Sequence, residues 1–133
     1  MTEPEVDEAE WLFHLSTLFP EVRPKEYFEL RSADTIEPSH LVAPLVFVTG
    51  LVYDPDASVS ATEILASRDD DPMLLPRAAS LGLKDPEVFG LAAVLFSFAI
   101  EGATRLGEDY ISARYREEAR VYIKSLIDKF KPR

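Results

Sequence analysis

The chain contains no cysteine, which excludes disulfide bonds, thiolate nucleophiles and zinc–thiolate sites together. Histidine is nearly absent too. His14 and His40 stand 26 residues apart, so the paired-histidine spacing of a metalloprotease helix does not occur. Glycine is scarce: Gly50, Gly82, Gly90, Gly102 and Gly107 form neither a phosphate-cradling G-x-G-x-x-G or Walker pattern nor a G-x-S-x-G nucleophile elbow. Met1 to Glu10 holds five acidic residues and no basic one, the reverse of a secretory leader. The longest apolar run, Val88 to Ile100, is 13 residues with Ser97 inside it, which is short for a bilayer. A soluble, cytoplasmic protein with no membrane contact is the expectation.

Charge is abundant but of one sign. The 133 residues carry 24 acidic and 14 basic side chains, a formal net charge of −10, which argues against nucleic acid as a partner of the whole surface. The imbalance is uneven: residues 1–104 hold 19 acids and 6 bases, residues 105–133 hold 5 acids and 8 bases. With 47% hydrophobic residues the chain has enough apolar material to fold, and its length fits one domain, 1–133.

The densest apolar material lies in 86–105. Asp85-Pro86 is a helix-entry signal, and Val88, Phe89, Leu91, Val94, Leu95, Phe96, Phe98 and Ile100 then sweep about two-thirds of a helix circumference. Gly90, Ala93, Ser97 and Glu101 remain as a narrow strip, the first three small enough to invite close helix approach. Such a helix is expected to be wrapped by neighbours on nearly all sides. The fold class that follows is all-α: a single-domain bundle of five to seven helices around a central helix.

Other elements fit that bundle. Thr2-x-x-Glu5 has capping-box spacing and opens a helix to about Phe19, ahead of Pro20. Trp11, Leu12, Leu15, Leu18 and Phe19 share one face; Val6 and Phe13 fall on the other. A short helix is expected over Pro24–Leu30 and a loop over 33–40. Residues 41–53 are rich in β-branched residues, yet no convincing strand exists to pair with them, so a buried helix disturbed near Pro44 or Gly50 is expected. Asp54-Pro55-Asp56 reads as a turn. Ser60-x-x-Glu63 then opens a helix, and Asp71-Pro72 another that ends at Gly82 in a left-handed cap. The last helix, Glu108 to about Phe130, gathers Ile111, Tyr115, Ala119, Tyr122, Ile123, Leu126 and Phe130 on one arc.

Chemistry-bearing patterns are few. Asp54, Asp56, Ser58, Ser60 and Thr62 alternate as in a calcium loop, but Val59 and Leu65 stand where the turn glycine and bidentate glutamate are required. Asp69-Asp70-Asp71 reads as a solvated loop. No metal site, no cofactor and no catalytic residue emerges. What remains are surfaces for a partner: Val6 and Phe13 behind the first helix, then Tyr110, Arg114, Arg116, Arg120, Val121 and Lys124 on the charged face of the last. The function expected on these grounds is non-catalytic, an acidic helical inhibitor, adaptor or assembly subunit. Its partner would be another protein, including a second copy of the chain. A small-molecule-binding bundle and a nucleic-acid contact through the basic last helix are the alternatives.

Overall fold

Two Asp–Pro pairs frame the larger part of the molecule. The computed structural model describes residues 7–18, 20–33 and 35–132. In it Asp54 and Asp85 each precede a proline at the first helical position. The Asp54 carboxylate accepts from the Ala57 N–H at 2.9 Å, and that of Asp85 accepts from the Glu87 and Val88 N–H groups at 3.0 Å each. Proline fits there because its fixed φ is already helical and its missing N–H would have had no partner. The turn expected at Asp54–Asp56 is therefore the start of a helix, and Ser60 lies inside that helix rather than capping it.

The chain divides into two compact units, Met1–Thr35 and Ile36–Arg133. The fold class is all-α, as the sequence implied. Among the described residues, the first unit holds α1 (Glu8–Thr17) and two short strands, β1 (Val22–Pro24) and β2 (Phe28–Leu30). The second holds α2 (Val42–Tyr53), α3 (Pro55–Ala66), α4 (Leu74–Leu81), α5 (Pro86–Leu106) and α6 (Ala113–Phe130), with single 3₁₀ turns at Pro38–His40 and Gly82–Lys84.

In the first unit Asp7 caps α1 by accepting from the Glu10 N–H at 2.7 Å. The capping box at Thr2 and the residues Val6 and Phe19 lie outside the described residues. Helix α1 has no buried residue. The helix expected over Pro24–Leu30 is instead an antiparallel hairpin, with Val22 opposite Leu30, Arg23 opposite Glu29 and Pro24 opposite Phe28. Apolar and charged residues alternate through Val22-Arg23-Pro24 and Phe28-Glu29-Leu30, which is strand periodicity. The Lys25 N–H closes the turn onto the Tyr27 carbonyl at 2.8 Å.

In the second unit α2 packs on α5 and α6, and α3 packs on α5. Pro44 falls in the first turn of α2, where it interrupts nothing. The α2–α5 crossing is so close that it admits no side chain. A Cβ on Gly50 would lie 1.9 Å from the Ala99 carbonyl oxygen, and one on Gly102 would lie 2.3 Å from the Gly50 oxygen. Ala43, Val46, Ala57, Ala61, Ala99, Ala103, Ala119 and Ile123 are the buried hydrophobic residues among those described. Beside this contact Asp54, only 5% exposed, receives Arg105 from α5: Nη2 at 2.6 Å and Nε at 3.0 and 3.2 Å from its carboxylate oxygens.

The expectation that α5 is shielded on nearly all sides is not met. Its buried residues are Ala99, Gly102 and Ala103, while Val88, Phe89, Leu91, Val94, Leu95, Phe96, Phe98 and Ile100 are half-buried. Close approach is set by three small residues at i, i+3 and i+4, and helices that meet there cannot also enclose the rest of the circumference. The strip singled out earlier is not the contact: Gly90, Ser97 and Glu101 are exposed, and a Cβ on Gly90 would touch nothing within 4 Å. At 21 residues α5 has the length and apolarity of a membrane-crossing helix, which the central helix of a bundle also has.

The remaining boundaries follow from caps. Gly82 has positive φ (54°) but ψ of −137°, so it ends α4 without the left-handed helical geometry expected. Arg77 of α4 reaches Asp71 at 2.8 Å and Glu87 at 2.6 Å, tying α4 to the first turn of α5. After Gly107 (φ 72°) the chain turns, and α6 begins at Ala113 rather than Glu108. Ser112 accepts from the Tyr115 N–H at 3.4 Å, and Glu108 from the Ala113 N–H at 2.9 Å. Of the expected arc, Ala119 and Ile123 are buried, while Tyr122, Leu126 and Phe130 are half-buried.

Two outcomes test this packing. Gly50→Ala should lower unfolding free energy by about 1–3 kcal/mol through overpacking. Gly90→Ala, with open space around it, should raise it by about 0.5–1 kcal/mol; urea titration of both variants checks the contrast. For pH, the hydrogen bonds from Arg105, then that from Ala57, hold the Asp54 carboxyl below the usual carboxylate range. A depressed folded pKa contributes stability above the unfolded value, and that stability is lost as pH falls through the folded one. The stability gap between wild type and Asp54→Asn should therefore be constant near neutrality and shrink below about pH 4, as read from thermal midpoints.

Candidate functional site

The hairpin of the first unit sorts its side chains by charge. On a pleated ribbon residues two apart share a face, so Glu21, Arg23, Glu29 and Arg31 lie on one side and Val22, Pro24, Phe28 and Leu30 on the other. The charged side is the more covered one, although Glu21 at its edge is exposed. Arg23 and Glu29 are half-buried, whereas Phe28 is 78% exposed. A hairpin that turns its charges inward is not built for a hydrophobic core.

Contacts on the charged face are specific. Arg23 Nη2 donates to the carbonyls of Leu18 (3.0 Å) and Ser16 (3.4 Å), satisfying acceptors at the end of α1. Its Nη1 stands 3.7 Å from Glu29 Oε2, and Lys25 Nζ approaches the same oxygen at 3.4 Å. One strand position on, the Arg31 N–H donates to the Glu21 carbonyl at 2.8 Å. The Arg31 side chain lines a shallow pocket with Pro20, Glu21 and Ser32. The Arg23 guanidinium, held by backbone and carboxylate partners, is a fixed fork, and forks of this kind match a carboxylate.

The residues singled out from sequence are dispersed. Val6 lies outside the described residues, and Phe13 is exposed on α1. Tyr110 sits with its ring 5.8 Å from that of Tyr53. Val121 lines a hollow beside His40 and Tyr122, whose rings stack at 4.3 Å. The four basic residues are each engaged close to home. Arg114 pairs with Glu118 at 2.8 Å, Arg120 with Glu117 at 2.6 Å and Lys124 with Asp128 at 3.0 Å. Arg116 donates to the Ile111 carbonyl and stands 3.5 Å from Glu108. The hydrogen bond that Arg114 donates to Glu118, and then the charge of Glu118, raise the pKa of Arg114. The charged hairpin was missed because a helix was read there; the signal was the two-residue spacing of Glu21, Arg23, Glu29 and Arg31.

Comparison with known proteins bears on the same stretch. The model of glutamate–cysteine ligase family 2 (GCS2) matches residues 2–120, which takes in the hairpin and most of the helical unit. The chain belongs to this family. Its similar relatives include the chloroplastic glutamate–cysteine ligase A of Oryza sativa subsp. japonica, 35% identical over 104 residues, covering 74% of this chain and 21% of the relative. The chloroplastic enzyme of Brassica juncea is 35% identical over 111 residues, covering 81% and 21%. Glutamate–cysteine ligase EgtA of Mycolicibacterium smegmatis is 35% identical over 99 residues, covering 72% and 22%. The chain thus spans about a fifth of the length of the curated relatives it matches. No solved structure matches.

Membership corrects the expected function. A non-catalytic inhibitor, adaptor or assembly subunit does not fit a family of ligases. That reading took the want of a short catalytic motif as evidence of no catalysis. Functional groups that lie far apart in a sequence leave no such motif.

Arg23 ties the hairpin to α1, so Arg23→Ala should speed amide exchange of the Lys25 and Arg31 N–H groups about tenfold or more, from the loss of charge-assisted hydrogen bonds worth about 1.5–3 kcal/mol. Exchange in α5 and α6 should not change. Hydrogen–deuterium exchange read residue by residue checks this.

Proposed function

We propose that this chain is a substrate-facing part of a glutamate–cysteine ligase fold, and that its hairpin binds a carboxylate of an amino-acid substrate. The single observation that carries the reading is the family match across residues 2–120, which includes the charged hairpin. Joining glutamate to cysteine uses one carboxyl group and must leave the others held and unreacted. Positively charged forks in fixed positions are the chemistry for that task. Arg31, lining the pocket with Glu21 and Ser32, is the residue assigned to the ligand. Arg23 and Lys25 position the face through Glu29. The full reaction is assigned to the larger family fold, of which this chain covers about a fifth. The matched plant relatives are named as chloroplastic enzymes; for this chain we propose a cytoplasmic setting and another protein as partner.

The test is binding of L-glutamate to the isotope-labelled chain, followed by amide chemical shifts. Shifts should concentrate at Glu21, Arg31 and Ser32, and the diamide of L-glutamate, which has no carboxylate, should bind more weakly. Arg31→Ala should weaken glutamate binding about tenfold to a hundredfold, as loss of a charge-assisted hydrogen bond of about 1.5–3 kcal/mol implies. Shifts scattered over α5 and α6, or none at millimolar glutamate, would overturn the assignment.

A further inference from the structure

Among the five helices of the second unit, α4 alone has no buried residue. Leu75 is 79% exposed and Leu81 is exposed too, while Leu74, Arg77 and Ala78 are half-buried. Met73 stands at the N-cap position and offers no side-chain cap. Eight uncapped residues do not hold a helix in water unaided, and apolar burial supplies little here. Something else keeps α4 in place.

That holding force is charge, gathered on one side chain. Arg77 is the only charged residue of α4. Its Nη2 donates to Asp71 Oδ2 at 2.8 Å in the preceding turn and to Glu87 Oε2 at 2.6 Å in the first turn of α5. The other Glu87 oxygen accepts from Arg68 Nη1 at 2.5 Å, just beyond the end of α3. Asp71 also accepts from the Met73 N–H at 2.9 Å, so the same carboxylate folds the approach to α4. The clasp is incomplete. Arg77 Nε is shielded from water without a hydrogen-bond partner, 3.6 Å from Asp85 Oδ2, and a donor left in that state costs free energy. Arg68 and Glu87 are exposed, where dissolved ions screen their attraction. The α2–α5 crossing, by contrast, closes backbone against backbone at Gly50 and Gly102, a contact that salt does not screen.

We propose that α4 is a strap, clasped to the start of α5 by charge, which opens as a unit while the α2–α5 crossing stays closed, with ionic strength setting how much of the time it is open. Opening frees the stretch between Arg68 and Asp85 and bares the first turn of α5, where Val88 and Phe89 are half-buried with the strap shut. The hairpin of the first unit takes no part, so the strap stands or falls separately from the ligase assignment.

Amide exchange of the full chain, followed residue by residue in rising sodium chloride, tests this. Between about 0.05 and 1 M salt the Ala78, Ala79, Ser80 and Leu81 N–H groups should exchange about threefold faster or more, as the clasp is screened. The amides of Ala99 to Ala103 should hold or slow, because salt relieves the self-repulsion of a chain with a net charge of −10. At low salt Arg77→Met, which keeps the apolar stem and loses the charge, should raise the same four α4 rates about tenfold or more and remove their dependence on salt. Four α4 amides that exchange no faster in high salt, or that move in step with Ala99 to Ala103, would end the proposal. So would an Arg77→Met chain whose α4 exchanges as the wild type does. If Arg77→Met fails to fold, the salt series on the wild-type chain still decides.

Discussion

Two glycines on different helices leave no room between their backbones, and the architecture of the helical unit depends on that contact. Gly50 of α2 and Gly102 of α5 bring main chain against main chain, with the Ala99 carbonyl where a Cβ would stand. Dispersion falls steeply with distance, so helices this close gain contacts along their whole crossing without large side chains. This explains why the buried set is dominated by alanine and why Val46 is the largest fully buried side chain. It also fixes where polar groups can go. Asp54 follows α2 directly and lies beside the crossing, close enough to Gly102 that a Cβ there would meet its own at 3.0 Å. The same carboxylate caps α3 and receives Arg105, so one side chain sets the corner between α2 and α3 and anchors the end of α5.

A crossing built from small residues leaves the large ones without a place in it. Phe89, Leu95, Phe96 and Phe98 are half-buried on α5, and Leu41, Leu45 and Val52 lie exposed on α2. Ordinarily isolated exposed apolar residues mean little. Here they are ordered along helices whose opposite faces are already packed, and the chain spans about a fifth of its relatives' length. Apolar residues that the crossing has no room for are therefore turned outward.

Sequence alone revealed the helices that carry their own punctuation. Asp85-Pro86 located the start of α5 to the residue, and Gly107 its end. The amphipathic arc of α6 was legible because its period persists over five turns. What stayed hidden had physical reasons. Asp54-Pro55 bears the same punctuation as Asp85-Pro86 but was read as a turn, because Asp56 follows and the next capping pattern at Ser60 competed with it. The α2–α5 contact could not be read from the apolar pattern, since hydrophobic periodicity locates large side chains and the decisive residues have almost none. The hairpin was lost through its shortness: three residues per strand give too few alternations to outweigh a helical reading of seven.

The candidate site was illegible for a related reason. A catalytic motif is visible in sequence when its groups cluster on a turn or along one helix face. In this chain the charges of the candidate site are separated by the hairpin turn and brought together only by cross-strand pairing, Arg23 with Glu29. Their exposure pattern completes the argument. Charged side chains beside a helix end would be costly in a hydrophobic interior, yet Arg23 reaches a backbone carbonyl and Glu29, and Glu29 has Arg23 and Lys25 beside it. An arrangement that turns Phe28 and Leu30 to solvent while keeping charge beneath is poor design for stability alone. It suits the carboxylate site proposed above, where the charges serve a ligand rather than the fold.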